Sequence, residues 1–351
     1  MPVVMEQGAC GRSYSLLAGV RCVPARARRS DNAEGAIEIG IVNNMPDSAL
    51  EATERQFIGL LAAASEKTPL RVRLFALSSV PRADAARRYL STHYASIDDL
   101  WDTRLDGLIV TGTEPRCKDM TQEPYWAEFA RLVDWAERNT TSTVWSCLAA
   151  HAAVRHLDDI ERVPFERKCF GVFQCEQIAR HVLTTTSPGY LHVPHSRWNG
   201  LPEDALQASG YDVLARADAI GSDLFVKETR SLFVFLQGHP EYEAETLARE
   251  YRRDVGRFLR QERSDYPDIP QNYFDDASVR SLEAFRSRAL TERTAELLES
   301  FPAAAPQETM ASSWHRAAIR LYRNWLAAIS ARRITSARLA AAGASELAPS
   351  P

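Results

Sequence analysis

Three residues of the chain have side chains suited to covalent catalysis: Cys147, His239 and Glu241. A cysteine thiolate is a strong nucleophile, and it forms readily when an imidazole or a helix N-terminus stabilises its negative charge. A carboxylate that orients the imidazole completes such a triad. The sequence therefore allows group transfer through a cysteine, provided that the fold brings these three side chains together.

Cys147 lies between a short apolar segment, 143–146, and an alanine-rich segment, 148–157, that is typical of a helix. A residue between a strand and a helix stands at a sharp turn, where the free N–H groups of the helix can hold an oxyanion. The pattern is that of a nucleophile elbow without its usual flanking glycines. The alternative interpretation is a buried structural cysteine.

His239 follows an apolar segment, 231–236, and the proline after it ends the predicted strand. Glu241 lies two residues further and can hold the imidazole from the same turn. His151 is a second candidate base, because it lies four residues after Cys147 on the same helix face. The alternative for His239 and Glu241 is a surface turn without a catalytic role.

Strands and helices alternate along the chain. Five short segments are predicted to be strands: 36–42, 70–77, 108–110, 143–146 and 231–236. Helices are predicted after residue 47 and over 123–138, 148–157, 244–262 and 314–329. This order favours an α/β fold with a mostly parallel sheet flanked by helices, in which ligands bind beyond the carboxyl ends of the strands. Asn43, Gly112 and Cys147 each come at a predicted strand end, so the sequence predicts a site at one edge of the sheet.

Three parts of the chain are expected. Residues 1–35 lack sustained periodicity and predict a loosely ordered N-terminal extension. Residues 36–335 are predicted to form one domain, since no linker or internal repeat divides them. Residues 336–351 are rich in small side chains and predict a frayed C-terminal tail.

Composition and charge narrow the class of protein. The formal net charge of −4 gives no reason to expect binding to nucleic acid or membranes. No apolar run approaches the roughly 20 residues that span a bilayer. The six cysteines form no CxxC pair and no zinc-type spacing, so no metal is expected. Because no apolar leader with a cleavage site is seen, we expect a cytoplasmic protein with reduced thiols.

Five motifs occur in order along the chain: Val42-Asn43-Asn44-Met45-Pro46-Asp47, Gly107-Leu108-Ile109-Val110-Thr111-Gly112, Pro124-Tyr125-Trp126, Pro194-His195-Ser196-Arg197 and Gly238-His239-Pro240-Glu241-Tyr242. Together they resemble the homoserine O-succinyltransferase/O-acetyltransferase family of methionine biosynthesis, over residues 38–330. The resemblance implies a class I glutamine-amidotransferase-like, flavodoxin-like fold. It also implies an acyltransferase domain over the central part of the chain.

The resemblance implies a ping-pong reaction, in which a cysteine takes the acyl group from acyl-CoA and the hydroxyl of L-homoserine then attacks the thioester. In that scheme Cys147 is the nucleophile, His239 the general base and Glu241 the residue that orients it. Three further residues match the family's substrate-binding positions: Lys168, Ser196 and Arg253. Acyl-CoA is then a co-substrate, with no bound cofactor. A homodimer is expected only because such assemblies are common among metabolic enzymes.

Arg116 stands near the position that the resemblance associates with the choice of acyl group. The family reads Thr-Gly-Ala-Pro before it, whereas this chain reads Thr-Gly-Thr-Glu-Pro. A guanidinium at Arg116 can pair with the free carboxylate of a succinyl group, which favours succinyl over acetyl unless Glu114 neutralises it. Leu148 and His151 replace an aromatic residue and a glutamine of the family. Serine or another hydroxy amino acid therefore stays open as the acceptor.

Two other classes of protein stay open. A glutamine amidotransferase-like hydrolase on the same fold uses the same triad, but no synthetase domain accompanies it in this chain. A non-enzymatic binding protein that keeps the fold is disfavoured, because the cysteine, the histidine and the glutamate are all present.

Overall fold

The computed structural model describes residues 3–6, 20–23, 35–66, 68–185 and 188–346, which form one 11-stranded sheet flanked by helices. The strands are β1 (Val3–Glu6), β2 (Val20–Val23), β3 (Ile37–Val42), β4 (Leu70–Phe75), β5 (Leu105–Thr111), β6 (Thr140–Ser146), β7 (Val163–Gln177), β8 (Tyr190–Gly200), β9 (Asp212–Ala217), β10 (Gly221–Glu228) and β11 (Leu232–Leu236). The helices are α1 (Leu50–Ser65), α2 (Asp84–His93), α3 (Ile97–Trp101), α4 (Trp126–Asn139), α5 (Leu148–Asp158), α6 (Glu203–Ala208), α7 (Thr246–Leu259), α8 (Asp276–Thr291) and α9 (Glu308–Glu346).

The first half of the sheet is parallel, in the order β2-β1-β4-β3-β5-β6-β11. Its central strands are apolar on both faces because helices cover both. On one face Ile41 packs in a cluster with Phe57 of α1 and Trp325 of α9. On the other face Val110 belongs to a cluster with Phe129 of α4. The predicted class, a mostly parallel sheet between helices, is confirmed.

The second half of the sheet is antiparallel, and the sequence did not predict its strands. β10, β9, β7 and β8 continue the sheet beyond β11, and each pairs antiparallel with its neighbours. Phe170 of β7 packs in a separate cluster with Tyr251 of α7 and Phe285 of α8. This cluster holds α7 beside β7. The segment His195-Ser196-Arg197 is polar, as is typical of a loop, yet it lies within β8.

Strand register brings four carboxyl ends to one edge of the parallel half. Val42 of β3 is level with Val110 of β5. Ser146, the last residue of β6, is level with both Thr111 of β5 and Leu236 of β11. The chain segments that follow these strands therefore emerge side by side, as the sequence predicted for Asn43, Gly112 and Cys147.

Both ends of the chain contribute described elements. β1 and β2 lie within the predicted N-terminal extension, 1–35, yet they pair with each other and with β4. This order contrasts with the loose structure expected there. Helix α9 likewise continues past residue 335 as far as Glu346. The other residues of 1–34, and 347–351, lie outside the described residues, so the division at 36 and 335 stays a prediction.

Candidate active site

Cys147 adopts a backbone conformation that side chains rarely occupy. Its φ is +51° and its ψ −110°, so the turn between β6 and α5 is strained. Its N–H donates to the carbonyl oxygen of Leu236 at 2.7 Å, which ties this turn to the end of β11. Its own carbonyl oxygen accepts the N–H groups of Ala150 and His151, where α5 begins. The free, half-buried thiol therefore stands at the N-terminus of a helix, in the strand–turn–helix that the sequence predicted.

Gly112, just after β5, lies against the first turn of α5. A Cβ atom added at Gly112 would stand 2.5 Å from Leu148 Cβ and 2.9 Å from Ala149 N, so no larger residue fits without a shift. The backbone at Gly112 therefore borders the first N–H groups of α5, which have no partner inside the helix. Donors arranged in this way suit a negative charge that develops on an acyl oxygen beside Cys147.

His239, three residues beyond β11, is held from several sides. Its N–H donates to the carbonyl oxygen of Pro194 at 2.8 Å, and its Nδ1 is hydrogen-bonded to Glu241 Oε1 at 2.8 Å. The ring of Tyr242 stacks on the imidazole with 4.3 Å between ring centroids. His239 and Glu241 are each 7% exposed. Because the carboxylate occupies Nδ1, Nε2 is the nitrogen available to a reacting group.

Cys147 and Glu241 both act on the His239 imidazole, and the carboxylate is the partner of Nδ1. Burial acts to lower the pKa of His239. The negative charges of Cys147 and Glu241, together with their hydrogen bonds, outweigh burial and hold this pKa well above its usual range. An imidazole with a raised pKa is suited to hold a proton beside the Cys147 sulfur.

His151, the other candidate base, contacts a different partner. Its Nε2 lies 2.9 Å from Gln237 Oε1, an oxygen that also accepts from Arg197 Nη1 at 3.2 Å. Because an amide oxygen can only accept, the imidazole donates from Nε2. Burial, helped by the charge of Arg197, lowers the pKa of His151 to about 3, so this ring is neutral. The contacts favour His239 as the partner of the thiol.

A cavity of about 800 Å³ lies over Cys147. The residues predicted to bind substrate line it together with the triad: Lys168 from β7, Ser196 from β8 and Arg253 from α7. Lys168 Nζ lies 3.3 Å from Asp254 Oδ2, and Arg253 pairs with the same carboxylate at 2.9 Å. Ser196 Oγ donates to Glu250. Cations and carboxylates thus alternate on the wall of the cavity formed by β7, β8 and α7. This arrangement suits an amino-acid zwitterion.

Arg116 is not brought together with the other predicted site residues. It lines an adjoining cavity of about 450 Å³, together with Arg82 and Glu114. Glu114, the residue expected to neutralise it, instead lies 3.6 Å from Arg257. Neither Arg116 nor Arg82 lines the cavity over Cys147.

Cys175, His195 and Asp223 form a buried group whose potential metal-ligating atoms lie within 4.8 Å of one another. Hydrogen bonds already engage two of them. Arg197 Nε donates to His195 Nδ1 at 3.2 Å, and the other ring nitrogen lies 3.2 Å from Asp223 Oδ1. That oxygen also accepts the N–H of Gly238 at 3.0 Å. Since burial raises the pKa of the Cys175 thiol as well, the group is better suited to fixing the loop before His239 than to holding a metal.

Comparison with known proteins identifies the family. A family model described as homoserine O-succinyltransferase matches residues 16–334. The chain belongs to the homoserine O-succinyltransferase family. A relative of that name from Rhodopseudomonas palustris is 52% identical over 290 residues, which cover 83% of this chain and 87% of the relative. Another from Methylorubrum extorquens is 48% identical over 296 residues, covering 84% and 88%. The resemblance predicted from the ordered motifs is confirmed.

Among solved structures, the chain is similar to two amidotransferases. The glutamine amido transferase from Methylobacillus flagellatus is 15% identical, with a TM-score of 0.49 over 84% of this chain and 95% of that one. The glutamine amidotransferase from Thermotoga maritima is 11% identical, with a TM-score of 0.46 over 84% of this chain and 98% of that one.

Sequence reasoning missed several residues that shape the site of this family member. Gln237, which is hydrogen-bonded to His151 and Arg197, directly precedes the motif that begins at Gly238. Its position next to this motif could have indicated a role in the site. Asp223 lies in β10, a strand that was not predicted. Arg162 lines the cavity over the nucleophile but follows α5 without any recognisable pattern.

Within the ranges that the structure describes, no helix combines the length and the apolar character needed to cross a bilayer.

Proposed function

We propose that this protein transfers a succinyl group from succinyl-CoA to the hydroxyl of L-homoserine, a step of methionine biosynthesis, with a thioester on Cys147 as the intermediate. The observation that carries the proposal is that Cys147, His239 and Glu241 line one cavity, with Glu241 hydrogen-bonded to the imidazole on which Cys147 also acts. Relatives named homoserine O-succinyltransferase, at 45% to 52% identity, support succinyl as the acyl group.

In the first half-reaction the Cys147 thiolate attacks the thioester carbonyl of succinyl-CoA. The oxygen of the tetrahedral intermediate gains negative charge, which N–H groups at the start of α5 and near Gly112 are placed to stabilise. The carbon–sulfur bond to CoA then breaks. The departing thiolate takes the proton of the His239 imidazolium, so the products are free CoA and a succinylated cysteine.

Acylation prepares the imidazole for the second half-reaction. The thioester carries no charge, so His239 loses the thiolate that raised its pKa, while burial continues to lower it. The neutral ring then takes the proton of the homoserine hydroxyl as the oxygen attacks the thioester. Collapse of the intermediate expels the Cys147 thiolate beside an imidazolium, which restores the starting pair. Glu241 keeps the ring oriented through both steps.

The wall of cations and carboxylates supplies recognition of the amino acid. We assign the carboxylate of homoserine to Arg253 and Lys168, which share the partner Asp254, while Lys168 also lies 4.0 Å from Glu250. Glu250 and Ser196, which are hydrogen-bonded to each other, are placed to receive the ammonium group. This pairing positions the hydroxyl rather than the charged ends toward the thioester.

The test is to combine two donors, succinyl-CoA and acetyl-CoA, with two acceptors, L-homoserine and L-serine, and to follow free CoA thiol while identifying the product by mass. The proposal predicts the highest kcat/KM for succinyl-CoA with homoserine. A higher value for acetyl-CoA or for serine would correct the donor or the acceptor. Glutamine hydrolysis without turnover of either acyl-CoA would favour the amidotransferase-like alternative.

A cytoplasmic location belongs to the same proposal, because a catalytic thiolate works only while it is reduced. Succinyl-CoA enters as a co-substrate in this scheme, and a homodimer stays a prediction.

A further inference from the structure

We infer that Arg162 binds the distal carboxylate of the acyl group and so makes the cavity over Cys147 selective for a dicarboxylic acyl-CoA. This inference rests on the proposed function, since it names the part of the same site that recognises the acyl chain. Arg162 lies between α5 and β7 and lines the cavity together with Cys147, Leu148 and His151.

One nitrogen of the Arg162 guanidinium has no partner. Nη2 donates to the carbonyl oxygen of Lys118 at 3.2 Å. Nη1 is buried and makes no hydrogen bond with any residue in the described ranges. A buried charged donor that is neither hydrated nor paired is costly. An incoming carboxylate would remove that cost, which is the property expected of a ligand-binding arginine.

The nearest acidic groups do not satisfy this nitrogen. Tyr125 and Glu123 act on Arg162 electrostatically, but Glu123 directs Oε1 to the backbone N–H groups of Arg116 and Cys117. Burial is the largest influence on Arg162 and lowers the pKa of its guanidinium. The guanidinium is therefore partly shielded from water, and a shielded guanidinium binds a carboxylate more strongly than a fully exposed one.

Arg162 and Cys147 line the same cavity, so an acyl group on the sulfur shares this space with the guanidinium. Its charge acts on His151, which follows Cys147 by one helical turn. A succinyl group on Cys147 carries its second carboxylate beyond two methylene groups, so it extends further into this cavity than an acetyl group does. An acetyl group ends at its first methyl and leaves Nη1 unpaired. His151 is neutral and so does not compete as a cation.

The other cations of this cavity are less available to the acyl chain. Lys168 and Arg253 both contact Asp254, and Arg257 pairs with a glutamate. Arg197 donates to the carbonyl oxygens of Asn199 and Ile220 and to Gln237 Oε1. Arg263 also lines the adjoining cavity of about 260 Å³, which does not include the nucleophile. Arg162 is thus the cation beside Cys147 that a second carboxylate fits best.

The test compares kcat/KM for succinyl-CoA and acetyl-CoA, at saturating homoserine, in the wild type and in Arg162→Gln and Arg162→Lys. Arg155→Gln is the matched control, because Arg155 lies near the end of α5 and pairs with Asp159 at 2.6 Å, away from the cavity. Arg116→Gln tests the arginine that the sequence favoured.

Arg162→Gln removes the charged partner of the distal succinyl carboxylate. We therefore expect kcat/KM for succinyl-CoA to fall about 10- to 100-fold, with a far smaller change for acetyl-CoA. Arg162→Lys should recover part of the preference, and Arg155→Gln should keep the wild-type ratio. A purely structural role would lower both donors equally and leave the ratio unchanged, which would overturn the inference.

Collapse of the donor ratio in Arg116→Gln, with the ratio retained in Arg162→Gln, would also overturn the inference and restore the sequence-based choice. If Arg162→Gln does not fold, Arg162→Lys and Arg162→Met carry the comparison. If the wild type turns over succinyl-CoA and the Arg162 substitutions leave the donor ratio unchanged, this inference alone is refuted. A wild type that turns over neither donor refutes the proposed function and this inference together.

Discussion

The parallel and antiparallel halves of the sheet contribute different things to the site. The parallel half presents Cys147 after β6 and His239 after β11, both at strand ends. The antiparallel half presents Lys168 and Ser196 from within β7 and β8. A strand end that enters a helix offers backbone N–H groups and a helix dipole, which suit covalent chemistry. The interior of a strand offers side chains alone, which suit recognition.

This contrast predicts that substitutions in the parallel half abolish turnover, whereas substitutions in the antiparallel half weaken substrate binding. The largest effect is expected for Cys147→Ala, which should reduce CoA release from succinyl-CoA by at least about 1,000-fold, because it removes the nucleophile. Free thiol is measured with a colorimetric reagent.

Cys169→Ala is the matched control for the nucleophile. Cys169 lies in β7, is buried, and has its thiol pKa raised to about 12, mainly by burial, so it is chemically inert near neutrality. This variant should keep most of the activity. Equal activity in the two cysteine variants would remove the assignment of Cys147.

Glu241→Gln should give the next largest loss. The amide keeps the shape of the side chain but loses the charge that contacts His239 Nδ1 at 2.8 Å. A drop in kcat of about 100- to 10,000-fold is expected, by analogy with removal of the orienting carboxylate in other triads. Steady-state kinetics with succinyl-CoA and homoserine provides the measurement. A loss confined to KM would place Glu241 in substrate binding instead.

The inner strands of the parallel half, from β4 to β11, could be predicted from the sequence because helices cover both of their faces, whereas β1 and β2 at its edge were not predicted. All five residues of β11 are buried, so the segment 231–236 reads as a continuous apolar run. The register of such strands then fixes where their ends lie. Cys147 and His239 come shortly after two of these ends, so their positions could be predicted as well. These are features of local sequence, and they needed no knowledge of distant contacts.

The antiparallel half could not be predicted in the same way. The first part of β7 is largely exposed, and its pairing with β8 shifts register between Pro164 and Cys169, which interrupts the alternation of apolar residues. His195 and Arg197 look like loop residues, yet both are buried because their partners, such as Asp223, come from distant strands. Arg162 carries no pattern at all, since its unpaired nitrogen is visible only in the folded chain.

Lys168→Ala tests the antiparallel half. Because Lys168 contacts Asp254 and lines the cavity, its loss should raise KM for homoserine about 10- to 100-fold while kcat changes much less. Arg167→Ala is the control, since Arg167 is exposed and pairs with Asp268. A large fall in kcat with an unchanged KM would contradict the division between chemistry and recognition.

The smallest expected effect is a change in the pKa of the His239 imidazole when Cys147 is replaced by alanine. The folded pKa of His239 lies above its unfolded value, so its protonation stabilises the fold below about pH 6.5, and this contribution is lost as pH rises through the raised pKa. In Cys147→Ala the thiolate is absent and burial opposes Glu241 alone. Nuclear magnetic resonance titration of the imidazole should therefore give a lower pKa in this variant than in the wild type. An unchanged value would mean that the thiolate does not act on His239.

Formation of an acyl-enzyme without acceptor tests the central claim most directly. Mixed with succinyl-CoA alone, the protein should release about one CoA per molecule and carry a succinyl adduct on the peptide that contains Cys147. Addition of homoserine should then remove the adduct. Release of CoA only after homoserine is added, or an adduct on another residue, would contradict a covalent intermediate on this cysteine.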